Sequence, residues 1–160
     1  MSRRVSEVVA VREADENHRV LEIHTTGGRP SFRVKPCEDE GPDKPACPWR
    51  RDARIGEYPA QAYRQSARTA YDMAEHVFGC HQHSAVDGPP MWCAGFLLRG
   101  AGDNMRVRMQ ARQLDFSVVH SDVELYDSYR EMAEANGVAP DDPALAPCRG
   151  EAYEWRKDRE

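Results

Sequence analysis

The segment from Cys37 to Pro59, CEDEGPDKPACPWRRDARIGEYP, sets four prolines and two glycines among its residues and carries no usable apolar period. Neither a helix nor a strand fits it. A stretch this long without regular structure, inside a chain of 160 residues, is either functional or disordered, and ordering it needs something that holds it. Cys37 and Cys47 stand in its first half, so the cysteines are the place to begin.

The chain has five: Cys37, Cys47, Cys80, Cys93 and Cys148. Cys80 follows Gly79, where a helix is expected to end, and Cys93 lies across the turn Gly88-Pro89-Pro90. The spacing, C-x9-C-x32-C-x12-C, lacks the tight gap of a zinc ribbon. Four thiolates nevertheless suit tetrahedral Zn²⁺ or, as the alternative, a 4Fe–4S cluster. Such a site contributes on the order of 10–16 kcal/mol in small zinc peptides, enough to order the 37–59 loop by itself. The expected ligands are Cys37, Cys47, Cys80 and Cys93, with His81 and His83 as alternates. Two plainer readings stand beside this one: buried reduced thiols that act as small apolar side chains, and a disulfide pair. Trp49 and Trp92 each adjoin a cysteine and are read as the apolar shell of the site, and Cys148, after Pro147, as a spare thiol.

Around this region the chain reads as α+β, a small single domain with an N-terminal β-hairpin, two to four helices and a metal-stabilised loop. SEVVAVREAD and HRVLEIHTT alternate as two strands, ended by Gly27, Gly28 and Pro30, and PSFRVK offers a third. Tyr63, Ala67, Ala70, Tyr71, Ala74, Val77 and Phe78 predict an amphipathic helix over 60–78, with Gly79 as its left-handed cap. A second helix begins near Cys93. NMRVRMQARQL is ambiguous between helix, capped by Asp103, and strand. The pattern Ser121-x-x-Glu124 predicts the start of a further helix, which Asn136-Gly137 ends. The domain is expected to occupy 1–137, with its Cys-rich core at 37–96, and a Pro-rich, charged tail to follow over 138–160.

The formal charge of −5 is unevenly distributed: residues 44–114 carry +4 and residues 115–160 carry −7. Arg50, Arg51, Arg54, Arg99, Arg106, Arg108 and Arg112 are therefore candidate contacts for a protein or nucleic-acid partner. The bland reading is that the acidic third neutralises the basic one within the molecule. There is no apolar run of membrane-spanning length and no secretory leader, so the expected location is the cytoplasm. The zinc deaminase pattern H-x-E with P-C-x-x-C is missing, as are H-E-x-x-H, a P-loop, G-x-S-x-G and G-x-G-x-x-G. The sequence thus points to a non-catalytic, regulatory module with structural zinc. An iron–sulfur protein with a redox or sensing role is the alternative, and an unrecognised metal-dependent enzyme the third reading.

KPCEDEGPDKPACPWRRD, GEYPAQAYR, FGCHQHS and WCAGFLLRG together resemble a family of small, functionally uncharacterised proteins from actinobacteria and their phages. The likeness covers roughly residues 30–115. It implies a shared four-cysteine site in which Cys37, Cys47, Pro48 and Arg50 match a cysteine pair ending in Cys-Pro-x-Arg. Cys80 and His81 match Cys-His, and Cys93 and Gly95 match Cys-x-Gly. In this chain nine residues separate the first two cysteines, where the family has a tight C-x-x-C.

Overall fold

The computed structural model describes residues 6–25, 29–83 and 87–148. Two strands, β1 (Ser6–Glu13) and β2 (Arg19–Thr25), form the expected hairpin. Its turn is fixed by Asp15, whose Oδ1 accepts from Asn17 N at 2.8 Å and lies 2.9 Å from His18 Nδ1. The antiparallel register runs from Ser6 opposite Thr25 to Glu13 opposite Arg19, with an irregularity between Val8 and Ala10. At the open end Ser6 Oγ and Thr25 Oγ1 lie 2.9 Å apart, and buried Trp92 donates its Nε1 to Thr25 Oγ1 at 3.1 Å. That indole contact ties the hairpin to the core.

The third strand is not PSFRVK, where only Phe32 makes an isolated bridge, to Trp92. It is β3 (His76–Val77), antiparallel to β2, giving the sheet order β1-β2-β3. β3 falls inside the helix predicted over 60–78. The helix that forms, α1 (Ala60–Ser66), continues only as a 3-10 turn over Ala67–Ala70. Hydroxyls compete for its last carbonyls: Ser66 Oγ donates to Ala62 O at 2.9 Å and Thr69 Oγ1 to Ser66 O at 2.8 Å. Asn104, fully buried, then donates its Nδ2 to Thr69 O and His76 O at 2.9 and 2.8 Å, holding the chain after the turn in place. Tyr71 is extended and Met73 adopts φ 65, so the apolar positions 71–78 reach the core from non-helical backbone. Gly79 is not a left-handed cap. A Cβ there would lie 2.3 Å from Ile23 Cδ1, so the residue is small because β2 passes close by.

After Cys93 the chain coils into a π-helical turn, Phe96–Gly100. The ambiguous segment is helix α2 (Met105–Gln110), capped by Asn104, not Asp103: Asn104 Oδ1 accepts from Val107 N at 3.0 Å. The last helix, α3 (Tyr129–Ala135), starts seven residues later than the Ser121 pattern predicts. Ser121 instead closes a small turn with Val123, and Ser128 caps α3 by accepting from Glu131 N at 3.1 Å. Gly137, at φ 100, ends it, as the sequence suggests.

The architecture is α+β: a three-stranded antiparallel sheet with a few short helices. Trp49, Trp92, Phe96, Leu97, Tyr129 and Met132 form the centre of the core, all fully buried. Val138, Leu145 and Cys148 belong to that core as well, so the boundary expected at 137 falls within the packed region. The glycines expected to end β2, and the charged tail beyond Cys148, lie outside the described residues. Among the described residues no helix is long and apolar enough to cross a membrane.

Candidate metal centre

Residues 30–59 contain no strand or helix of their own, yet they are anchored at defined points. Arg33 N and Trp92 N bond to Trp92 O and Ser31 O, each at 3.0 Å, and Cys47 N bonds to Cys37 O at 3.0 Å. Further along, Arg51 N reaches Glu124 O and Trp49 O receives Tyr126 N, both at 3.0 Å. Across the core, Cys80 N bonds to Met91 O at 2.7 Å and Cys93 N to Phe78 O at 3.0 Å, with Gly79 and Trp92 as an antiparallel bridge between them. Cys80 and Cys93 thus sit on two adjoining extended segments. Cys37 and Cys47 are brought opposite them by the loop.

The four cysteines line one small cavity, together with His81, Arg33 and Ala94. They approach in two crossed pairs. Cys37 Sγ lies 3.7 Å from Cys80 Sγ, and Cys47 Sγ lies 3.6 Å from Cys93 Sγ. None of the thiols is in a disulfide. Among the described residues no group of three or more His, Cys, Asp and Glu, these four cysteines included, is already close enough to hold a metal ion. Cys148 stands apart, its Sγ 3.8 Å from Ala67 O and its pKa pushed up to about 11 by burial.

The surroundings favour negative sulfur at Cys80 and Cys47. Cys80 is drawn down to about 5, first by the hydrogen bond from Cys37, against the effect of burial, and then by Arg33 and the Gln82 N–H. Arg33 Nε donates to Cys80 Sγ at 3.3 Å. Cys47 is lowered by its bond with Cys93 and by the N–H groups of Trp49 and Gly95, although burial opposes them. The partners move the other way: Cys37 is raised by its bond to Cys80 and by burial, Cys93 by burial and by Cys47. In each pair the two thiols are therefore shifted in opposite directions, Cys80 and Cys47 down and Cys37 and Cys93 up.

The two histidines part company. His81 borders the sulfur cavity, but its Nε2 lies 2.7 Å from Pro45 O and its ring packs edge-on against Tyr58. His83 is not on the lining of that cavity. Residues the sequence reading passed over hold the centre together. Gln82 Nε2 donates to Glu38 O at 2.7 Å and Pro45 O at 2.8 Å, stitching the 38–45 loop to the turn after Cys80. Gly95 lets the helical turn lie against Trp49, since a Cβ there would come 2.4 Å from the Trp49 Cβ. The Gly beside Cys93 was visible in the sequence as part of Cys-x-Gly, but nothing in Arg33 or Gln82 marked them.

The seven arginines do not share one situation. Arg50 is tied to Asp52 at 2.7 Å, and Arg51 bonds to Glu131 and to Leu125 O while lying over the Tyr126 ring. Arg54 is largely exposed, 3.8 Å from Glu57. Arg108 and Arg112 are exposed and Arg99 and Arg106 half-buried, on or beside the π-helical turn and α2.

Residues 32–149 match the family of unknown function DUF6283, and the chain belongs to that family. No curated protein and no solved structure matches it.

Proposed function

For a member of a family without a known activity, we propose that the chain is a small metal-binding module in which Cys37, Cys47, Cys80 and Cys93 hold one structural Zn²⁺. The observation that carries this reading is the pair of short sulfur–sulfur contacts, 3.7 and 3.6 Å, around a single cavity. With Zn–S bonds of about 2.3 Å, the edge of a thiolate tetrahedron is about 3.8 Å. Both contacts are close to that edge, and one bound ion would draw the two pairs together. N–H donors from Trp49, Gly95 and Gln82, with Arg33, are already directed at sulfur and would offset its charge. Binding a dication would expel thiol protons, because the ligand is the thiolate.

The same distances weigh between metals. In a 4Fe–4S cube every cysteine binds a different iron, so no two thiolates share an ion. A 2Fe–2S rhomb does place two thiolates on each iron, but it needs room for two sulfides, and this cavity does not admit a water molecule. A single ion fits better. The reading of the whole is a non-catalytic, regulatory module: zinc fixes the 37–59 loop, and the exposed arginines on α2 and after it, Arg108 and Arg112, meet a protein or nucleic-acid partner.

Metal analysis and absorption spectra of protein purified without oxygen test the reading. About one zinc per chain, no visible colour, and loss of the metal in Cys47→Ser support it. Iron with sulfide, or four free thiols and no metal, overturns it.

A further inference from the structure

A second, larger cavity of about 380 Å³ opens between the sheet and α1 and shares Cys80 and His81 with the sulfur cavity. Its floor is apolar, made by Ile23, Tyr63, Val77 and Phe78. One wall is a run of rings: His18 meets Tyr58 with centroids 5.8 Å apart, and Tyr58 meets His81 at 5.5 Å, both edge-on. The volume is that of a small-molecule site, with the usual mixture of apolar walls and a few polar groups.

The charge around it is one-sided. Arg12, Arg19 and Arg68 border the cavity, against one carboxylate among the described lining residues, Glu22. Glu22 is already engaged, by Arg12 at 3.0 Å and by His76 Nδ1 at 2.5 Å. Arg19 and Arg68 are exposed, and neither is paired with a carboxylate among the described residues. In a chain of net charge −5 this is a local surplus of positive charge above an apolar, ring-lined floor. Arg12 and Arg19 lie outside the basic stretch 44–114, and Arg68, within it, is not one of the seven arginines that stood out in the sequence.

We infer that this cavity binds a small organic anion with a flat ring body, its ring against the His18–Tyr58–His81 wall and its carboxylate or phosphate held by Arg19 and Arg68. Guanidinium groups pair with both anions through parallel N–H bonds, so the shared chemistry is a planar or tetrahedral oxyanion. The inference does not depend on the metal, although the site shares a wall with the sulfur cavity.

The probe is 8-anilinonaphthalene-1-sulfonate, a ring-bearing anion whose fluorescence rises on leaving water, titrated into metal-loaded full-length protein. One site per chain is expected. Affinity should fall about tenfold in the double variant Arg19→Gln, Arg68→Gln, the loss of charge-assisted bonds. Ala62→Phe, which fills the cavity from α1, should abolish binding with the thermal transition retained. Displacement by adenosine monophosphate identifies the anion as a phosphate ester, and displacement by benzoate as a carboxylate. Absence of binding, displacement by neither compound, or equal affinity in wild type and the arginine double variant overturns the inference. Zinc content measured on the same samples reports separately on the metal reading.

Discussion

In the hairpin β1–β2 the backbone bonds to itself strand to strand, while Val8, Val9, Val11 and Leu21 stand 41–55% exposed. In residues 30–59 the backbone bonds are scattered and irregular, while Cys47 and Trp49 are sealed at 2% and 0%. Order in the first region comes from the ladder, which any alternating sequence of suitable residues could form. Order in the second comes from particular side chains that fit one another. Trp49 fits against Gly95 and Gly100, where a Cβ would come within 2.4 and 2.5 Å of it. Phe78 and Tyr129 pack edge-on to its ring at 5.9 and 5.8 Å. A region of the second kind fails at single positions, whereas one of the first kind tolerates change.

The largest effect should come from the sulfur centre. With zinc bound as proposed, stripping it with a chelator, or replacing Cys47 with Ser, should remove a contribution on the order of 10 kcal/mol, comparable with the whole stability of a domain. Hydrogen exchange should then show the amides of 37–59 losing protection well before those of β1 and β2. Equal loss in both regions would break the comparison, because it would make the hairpin depend on the centre as much as the loop does. Unchanged protection in the loop would show that Trp49 alone keeps it ordered.

Gly95→Ala sharpens the same contrast without touching a sulfur. The added methyl meets the Trp49 Cβ in a fully buried place, so the tryptophan or the turn after Cys93 must shift. A loss of about 3 kcal/mol, the upper end for overpacked cores, is expected in denaturant unfolding. A loss below about 0.5 kcal/mol, the range of ordinary surface substitutions, would mean that the packing around Trp49 yields easily.

How far the sequence could be read follows the same division. The hairpin was legible because alternation and turn chemistry are local: VVAVRE and RVLEIH carry their pattern wherever they lie. The sheet's third strand was not, because positions 71–78 keep a helical spacing that Asn104, some thirty residues away, overrides by taking the carbonyls of Thr69 and His76. The sequence also marked the cysteines as one four-sulfur site, but their spacing does not say which sulfurs approach one another. The sulfurs pair across, Cys37 with Cys80 and Cys47 with Cys93, because two adjoining extended segments face the loop. Helix α3 shows the limit most plainly. The chain writes Ser-x-x-Glu twice, at 121–124 and 128–131, and only packing selects the second, where Tyr129 and Met132 enter the core. Ser128→Ala should therefore cost about 1 kcal/mol, the usual value of a lost N-cap, and Ser121→Ala less. The reverse order in thermal unfolding would return the helix start to Ser121.

The smallest effect is expected at Val11, on the hairpin. It lies opposite Leu21 in the register, and both side chains face water, at 55% and 49% exposure. Val11→Thr keeps the β-branched shape that suits a pleated strand and exchanges a methyl for a hydroxyl in a wet place. Stability should move by no more than about 0.5 kcal/mol in either direction. The ladder bonds do not involve the side chain, so the hairpin has no reason to register the change. A loss of about 1 kcal/mol or more, the cost of a buried methyl, would show that this face is covered in solution. In that case the exposed valines would be packed surface, and the hairpin would join the loop among the regions held by side-chain fit.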